Sequence, residues 1–170
     1  GPAAFGGSIN ILTNAASDKP SFEINNTLGS FNTVKNSVGF STGFINDKFE
    51  FSGRLSRIKS GGYIDRSGSK LRSYFLQGIY KDENTLLKIL NFAGHEITDQ
   101  AWFGIDSSTL ETNRKYNPAG EYYDKMGNTR YYNNQDDNYK QDHYQFHWNQ
   151  SYENGWISNL GLHYTYGRGY

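Results

Sequence analysis

Apolar and polar residues alternate along most of this chain, and a two-residue period is typical of β-strands whose two faces differ. The segments in which the alternation predicts strands are 22–28, 34–44, 49–55, 70–81, 142–152 and 156–166. In the third segment the two faces are distinct: Phe49, Phe51, Gly53 and Leu55 alternate with Glu50, Ser52 and Arg54. The pattern therefore predicts an all-β, antiparallel fold.

Two further stretches are less regular. Within 70–81 we assign Tyr74, Leu76, Gly78 and Tyr80 to one face, opposite Arg72, Ser73 and Gln77. Residues 84–93 are the best candidate for a helix, although Thr85, Ile89 and Asn91 fit a strand equally well. If 84–93 is a strand, the chain has about seven strands.

The polar side of these predicted strands consists mostly of Ser, Gly, Asn, Gln and His. This composition is typical of the polar interior of a wide membrane barrel. Aromatic residues gather near strand ends, as membrane–water interfaces favour: Tyr152, Trp156, Tyr164 and Tyr166. The pattern favours an antiparallel transmembrane β-barrel, and the alternative is a soluble, secreted β-sandwich with an aromatic core that binds sugar.

The connections between predicted strands alternate in length. Tight turns are predicted at 46–48, 82–84 and 153–155, and between them lie Phe31-Asn32, then 60–69, then 96–140. Because consecutive strands run antiparallel, the long connections lie on one side of the sheet. Outer-membrane barrels have this arrangement, with short periplasmic turns and long extracellular loops at about 60–69 and 96–140.

The connection predicted at 96–140 is too long for a featureless loop in a compact domain. It is rich in tyrosine, a rigid amphipathic side chain that supplies contact area at low entropic cost. We therefore predict these ligand-binding residues: Trp102, Tyr116, Tyr122, Tyr123, Tyr131 and Tyr132. The alternative is a surface loop whose aromatic side chains pack on their neighbours.

Composition excludes several classes of function. Lys plus Arg number 17, Asp plus Glu number 17, and the chain has no cysteine. Neutral charge predicts no general attraction to nucleic acid, and the absence of cysteine excludes disulfides and thiolate metal sites. No apolar run approaches the ~18 residues of a membrane helix. No nucleophile elbow, phosphate-binding loop or zinc-protease motif is present, so we predict that the chain is not an enzyme.

Two groups of residues suggest a metal site without making a strong case for one. His143 and His147 are four residues apart, which on a strand separates them by about 13 Å, and His163 lies on the next predicted strand. Polar residues that line a barrel interior are the better interpretation. The run 133–138 offers oxygen ligands for calcium but lacks the glycine and glutamate of an EF-hand loop. We predict no metal and no cofactor.

The first 14 residues differ from the rest of the chain. Gly6 and Gly7 precede Ile9, Asn10 and Ile11 in a glycine-rich turn followed by a short apolar strand. This Gly-Gly-x-Ile-Asn-Ile-x-Thr segment resembles the end of the plug domain in TonB-dependent receptors. The stretches 95–105, 113–120 and 136–148 resemble a long outer loop of members of this family from Bacteroidetes.

The resemblance implies a domain organisation. Residues 1–14 would end the plug, 15–19 would be a linker, and 20–170 would be the N-terminal part of the barrel. The chain would then be a fragment that supplies about seven strands of a larger barrel. Its partners would be the remainder of that barrel and the lipid of the bacterial outer membrane.

The resemblance also implies active import of a scarce nutrient, powered through TonB by way of an N-terminal segment outside this sequence. The plug ending of the polysaccharide-importing branch differs from Ala4-Phe5-Gly6-Gly7, which favours a ferric siderophore, haem or cobalamin as the small nutrient ligand. The alternatives are an oligosaccharide importer of the same superfamily and a passive, porin-like barrel. A surface lipoprotein is a further candidate partner.

Overall fold

The computed structural model describes residues 16–170 of the chain. The predicted plug ending, with Gly6, Gly7, Ile9, Asn10 and Ile11, lies outside the described residues, as does the first residue of the linker. Within 16–170, no helix is long and apolar enough to cross a membrane.

The described part of the chain is almost entirely β-structure, which confirms the predicted all-β class. Its elements are β1 (Pro20–Gly29), β2 (Thr33–Thr42), β3 (Phe49–Ser60), β4 (Ser69–Lys81), β5 (Thr85–Asp99), α1 (Ser107–Thr112), β6 (Glu121–Tyr123), β7 (Thr129–Tyr131), β8 (Asp136–Ser151) and β9 (Ile157–Gly169). Seven strands form one antiparallel sheet in the order β1-β2-β3-β4-β5-β8-β9, and β6 and β7 form a separate hairpin. The sheet is open, with β1 and β9 at its edges.

Residues 85–93 of the segment 84–93 belong to strand β5 and are not helical. β5 lies inside the sheet, hydrogen-bonded to β4 on one side and to β8 on the other. Leu90 and Ala93 are buried there. Pairing on both sides outweighs the modest helix propensity of the leucines in this segment.

The connections of the main sheet lie at two opposite ends, because successive strands are antiparallel. The turn end contains 43–48, 82–84 and 152–156, and the loop end contains 30–32, the short loop 61–68 and the long loop 100–135. Asn46 and Asp47 have positive φ angles of 51° and 57°, the geometry that matches a tight turn to the twist of antiparallel strands.

The long loop is shorter than the predicted 96–140. Strand β5 continues to Asp99 and β8 begins at Asp136, and these two residues are directly paired. Backbone pairing therefore extends beyond the point at which the alternation of apolar residues ends in the sequence.

The pairing register places side chains in rows across the sheet. One row is apolar and crosses five strands: Phe49, Tyr80, Leu87, Trp148 and Leu160. Another row, on the opposite face, is mostly polar: Ser41, Ser52, Gln77, Leu90, Gln145 and His163. We call the face of the first row the apolar face and the face of the second row the polar face.

Burial on the two faces is the reverse of that in a water-soluble sheet. Apart from Ala93, the buried side chains of the sheet lie on the polar face: Ser37, Glu50, Gln77, Ile79 and Leu90. The apolar face exposes large side chains along its whole width, among them Phe22, Ile24, Leu28, Phe40, Phe51, Leu55, Leu76, Ile89, Leu162 and Tyr164. Water-soluble monomeric proteins rarely expose so large a continuous apolar surface.

The register corrects one assignment. We expected Arg72 on the face opposite Tyr74, but the two side chains lie on the same, apolar face. Strand β4 is uninterrupted from Ser69 to Lys81, so its two-residue period places positions 72 and 74 on one side.

Candidate functional site

The short loop and the long loop are held together around Asn117, which is only 2% exposed. Its amide group donates to the backbone carbonyls of Asp65 at 3.0 Å, Arg66 at 3.3 Å and Gln100 at 2.9 Å. Two of these carbonyls belong to the short loop and the third to the base of the long loop. A buried amide with partners in two segments fixes those segments relative to each other.

Arg66 makes the reciprocal contact from the short loop. Its guanidinium lies over the ring of Tyr131, 3.5 Å from the centroid, and donates to the backbone carbonyl of Asn117. The backbone N–H of Asp65 also donates to the carbonyl of Lys115, at 2.9 Å. The short loop thus supports the long loop through charge, ring and backbone contacts together.

The long loop is closed at its base. The N–H of Gln100 donates to the carbonyl of Gln135 at 2.8 Å, and the N–H of Asp99 donates to the carbonyl of Gly68 at 2.9 Å. The Asp99 carboxylate accepts in turn from the Gly68 N–H at 2.9 Å. Residues 101–134 therefore project from a fixed base.

A carboxylate within the long loop gathers three tyrosine hydroxyl groups. Tyr116 donates to Glu121 at 2.5 Å, Tyr131 donates to the same oxygen at 3.3 Å, and Tyr123 donates to the second oxygen at 3.4 Å. The hydrogen bond to Glu121 raises the pKa of Tyr116 to about 12, because ionisation would place two negative charges side by side. Tyr116 and Tyr131 therefore serve the internal structure of the loop.

Other aromatic side chains of the long loop are exposed. The rings of Tyr122 and Tyr132 stack with centroids 4.6 Å apart and an interplanar angle of 27°. Trp102, Phe103 and Tyr123 are at least half exposed. These flat apolar surfaces can stack on a planar or cyclic ligand without prior disruption of the loop.

Local hydrogen bonds give the long loop structure of its own. Asp106 caps helix α1, and its bonds from the Ser108 hydroxyl and from the N–H and hydroxyl of Thr109 lower its pKa to about 2. At the tip of the β6–β7 hairpin, the N–H of Asn128 lowers the pKa of Asp124, which also pairs with Arg130 at 3.1 Å. The exposed aromatic residues are thus carried on an ordered support.

A cavity of about 590 Å³ lies on the polar face, in the half nearer the loop end. The rings of Phe92 and His143 stack there with centroids 4.5 Å apart. The charged side chains of Arg54 and Glu96 complete the lining together with Tyr139. The cavity combines aromatic, cationic and anionic groups, as polar ligands with apolar parts require.

The histidines of β8 and β9 do not converge. His143 and His147 are four residues apart on one strand, and His163 lies opposite Gln145 between them. His143 hydrogen-bonds to the Thr165 hydroxyl at 3.0 Å, and His147 hydrogen-bonds to the side-chain amide oxygen Oε1 of Gln145 at 3.3 Å. Among residues 16–170, no group of three or more His, Cys, Asp or Glu could hold a metal ion.

A second polar cluster lies on the polar face near the turn end. Glu50 is 1% exposed and accepts from the Ser41 hydroxyl at 2.8 Å and the Gln77 amide at 3.4 Å. The same Gln77 amide donates to the Ser52 hydroxyl at 3.3 Å, and its Oε1 has no partner among the described residues. These side-chain hydrogen bonds join β2, β3 and β4 in addition to the hydrogen bonds between their backbones.

The structure divides the six predicted ligand-binding residues into two groups. Tyr122, Tyr123 and Tyr132 lie together at the β6–β7 hairpin, and Trp102 is exposed elsewhere on the same loop. Tyr116 and Tyr131 instead pack within the loop, against Glu121 and Arg66. Tyr123 belongs to both groups, because its hydroxyl donates to Glu121 within the loop while its ring is exposed.

Three residues that organise this site were not predicted from the sequence, namely Arg66, Asn117 and Glu121. Asn117 precedes Pro118, and an Asn-Pro pair is a turn signal that could have marked it. No comparable signal marks Arg66, since its partner Tyr131 is remote in sequence.

Comparison of the chain with protein-family models, curated proteins and solved structures finds no match.

Proposed function

We propose that this chain forms part of the wall of a β-barrel in the outer membrane of a bacterium, and that the barrel is a TonB-dependent importer. The observation that carries the first part is the reversed burial of the sheet, with buried polar side chains on one face and exposed aromatic and aliphatic side chains on the other. In water such an arrangement would forgo the stabilisation that burial of the apolar side chains provides. In a bilayer it is the expected arrangement, because lipid covers the apolar face.

The dimensions of the apolar face support this proposal. On β3, β4 and β8, the stretch from the apolar row near the turn end to a basic residue near the loop end spans nine residues, both ends included: Phe49 to Arg57, Tyr80 to Arg72, and Trp148 to Lys140. A tilted strand needs ~9–11 residues to cross the apolar part of a membrane. The open edges at β1 and β9 would pair with further strands, since unpaired edges are not stable in lipid.

The unequal ends of the sheet support an orientation. The short turns would face the periplasm and the short and long loops would face the cell exterior. The exposed Trp102, Tyr122, Tyr123 and Tyr132 would then meet ligands that arrive from outside. We infer that the chain binds and admits a ligand and does not transform it.

The importer class and its nutrient rest on the resemblance of the N-terminal segment to a plug ending. A ferric siderophore, haem or cobalamin is the proposed ligand, and each offers flat or cyclic surfaces to stacked aromatic rings. An oligosaccharide is the alternative ligand, since the Tyr122–Tyr132 stack also suits sugar rings. TonB would supply the energy for import.

Deletion of residues 101–134 tests the role of the long loop. The backbones of Gln100 and Gln135 are hydrogen-bonded, so a short glycine linker can join them without strain on β5 or β8. In the full-length protein we expect normal membrane assembly, shown by surface labelling, and loss of binding to the ligand among ferric siderophore, haem, cobalamin and oligosaccharide that the wild type binds. Unchanged affinity in an assembled deletion variant would refute a ligand-binding role for this loop.

Uptake in cells with and without TonB separates an importer from a passive barrel. An importer takes up its nutrient only when TonB is present, whereas a porin-like barrel admits small solutes equally in both strains. Equal uptake would overturn the importer proposal while leaving the membrane location of the sheet intact.

A further inference from the structure

A band of basic side chains crosses the apolar face near the loop end. In register, a row runs across β3, β4, β5, β8 and β9 through Arg57, Arg72, His95, Lys140 and Arg168. Lys59 and Lys70 oppose each other one row nearer the loops. We call the six lysines and arginines of these two rows the cationic belt. All are exposed except Lys140, which is half-buried.

The cationic belt is poorly neutralised within the described part of the chain. Its only ion pair joins Arg168 to Asp142 at 2.8 Å. Two other carboxylates on this face, Asp99 and Asp136, oppose each other closer to the long loop, and Asp99 accepts the N–H of Gly68. The four basic residues of β3 and β4 therefore have no carboxylate partner among residues 16–170.

Like charges face each other within the belt. Arg57 is directly opposite Arg72, and Lys59 is directly opposite Lys70. Side chains in such positions are about 5 Å apart at Cβ, and like charges there destabilise a sheet. An anion between the two strands would convert this repulsion into attraction, and the planar guanidinium groups suit a phosphate in particular.

A groove of about 490 Å³ adjoins the belt on the apolar face. Its walls are apolar toward the turn end, where Val38, Leu55, Tyr74 and Ala93 lie, and toward the loop end they carry the cations of Arg57, Arg72 and Lys140 beside His95. This order matches a molecule with an anionic head and a hydrocarbon tail.

We propose that the cationic belt and its groove bind an anionic membrane lipid whose headgroup carries phosphate without a compensating cationic group. The phosphates lie between the opposed cations of β3 and β4, and the acyl chains lie along the apolar face. This inference rests on the proposed membrane location of the sheet. Because the belt lies at the loop end, the bound lipid belongs to the outer leaflet, next to the short and long loops.

The test uses the full-length protein in vesicles of phosphatidylcholine that contain a minor fraction of bis-phosphorylated lipid A. Wild type is compared with R57Q/R72Q, which removes two belt charges, and with K35Q/K81Q, which removes two charges from the polar face of β2 and β4. After extraction, mass spectrometry measures the lipid A retained relative to phosphatidylcholine. A parallel series contains dephosphorylated lipid A.

We expect wild type and K35Q/K81Q to retain lipid A selectively. R57Q/R72Q should retain about thirtyfold less, since each of its two basic residues near an anionic membrane surface contributes about 1 kcal/mol. Dephosphorylated lipid A should not be enriched by any variant. Equal retention by wild type and R57Q/R72Q, or equal enrichment of the dephosphorylated lipid, would overturn the inference.

Flotation of the vesicles separates this inference from the proposed function. If the wild type inserts and floats with the vesicles but shows no preference for lipid A, only the lipid site is refuted. If the wild type does not insert, the proposed membrane location fails, and the lipid site fails with it.

Discussion

The two faces of the seven-stranded sheet share the same backbone but follow opposite rules of burial. On the polar face, Glu50 and Gln77 are almost completely buried. On the apolar face, Phe22 is 69% exposed and Leu28 is 83% exposed. In a water-soluble sheet the hydrophobic effect produces the reverse distribution. The proposed contact between the apolar face and lipid rests on this contrast.

The contrast also separates two kinds of stabilisation. Side chains of the polar face form hydrogen bonds across strands, as Glu50 does with Ser41 and Gln77. Side chains of the apolar face form ring contacts, as the tilted rings of Tyr144 and Tyr164 do at a centroid distance of 6.2 Å, and a few hydrogen bonds, such as that from Tyr74 to Asn91 at 3.0 Å. The buried polar groups of the polar face are thus satisfied by other side chains of the sheet, whereas most large apolar side chains of the apolar face stay exposed.

The largest expected effect comes from a charge on the apolar face. Leu162→Arg places a cation on the apolar face of β9, whereas His163→Arg places the same side chain on the polar face of the same strand. In a membrane we expect Leu162→Arg to lower the free energy of unfolding by about 2–4 kcal/mol and His163→Arg to lower it much less. Urea unfolding of the full-length protein in vesicles measures both.

This pair of variants can break the comparison between the faces. Leu162 is 55% exposed, so in a water-soluble sheet Leu162→Arg would change stability by only about 0.5 kcal/mol. A neutral result for Leu162→Arg would therefore contradict contact between the apolar face and lipid.

The second effect concerns the buried hydrogen bonds of the polar face. Glu50→Ala removes the acceptor of the Ser41 hydroxyl and one of the two acceptors of the Gln77 amide, at an expected cost of about 1–3 kcal/mol in the free energy of unfolding. Glu23→Ala, at an exposed position of the same face, is the matched control and should be nearly neutral. Glu50→Gln keeps an acceptor and should recover part of the loss. Equal effects of Glu50→Ala and Glu23→Ala would show that burial on the polar face contributes little.

The third effect extends the contrast between exposed and packed side chains to the long loop. Trp102→Ala and Tyr123→Ala remove exposed rings, and each should weaken binding of the proposed nutrient roughly tenfold, which is the size of an aromatic contact at a binding surface. Met126→Ala, at an exposed tip without a ring, is the control. Ligand titration of the assembled full-length protein measures the affinities. If Met126→Ala weakens binding as much as the ring deletions, the aromatic residues have no special role.

The smallest effect concerns the pH dependence of a tyrosine that packs within the loop. The pKa of Tyr116 is raised from 10.0 to about 12, so its contribution to loop stability is fully present below pH 10 and is lost as pH rises to about 12. In an ultraviolet titration, the wild type should therefore show the ionisation of one more tyrosine near pH 12 than the Tyr116→Phe variant shows. A difference that already appears near pH 10 would mean that the hydrogen bond to Glu121 does not form.

The alternation of side chains predicted the fold class well because it is a local property. Glu50 and Phe51 occupy opposite faces whatever strand pairs with β3, since the backbone alone imposes a two-residue period. Tight turns such as Asn46-Asp47 are equally local, because their positive φ angles suit short polar residues. The strand 84–93 was ambiguous because its leucines suit a helix also, and only its two neighbours decide the outcome.

The candidate site depended on contacts that are distant in sequence. The exposed positions of Tyr122 and Tyr132 agree with a binding role that composition suggested, but nothing local distinguishes them from Tyr116 and Tyr131. That distinction arises because Glu121 and Arg66 engage the latter pair. Packing of a long loop is a tertiary property and has no period in the sequence.

The sequence by itself determined which residues share a face of each strand and where the tight turns lie, because both follow from the geometry of a few consecutive residues. The tertiary structure alone decided the register that aligns Arg57 with Arg72 and the union of two loops around Asn117. Register and loop packing join residues that are far apart in the chain, so they depend on the free energy of the whole sheet and not on any one segment.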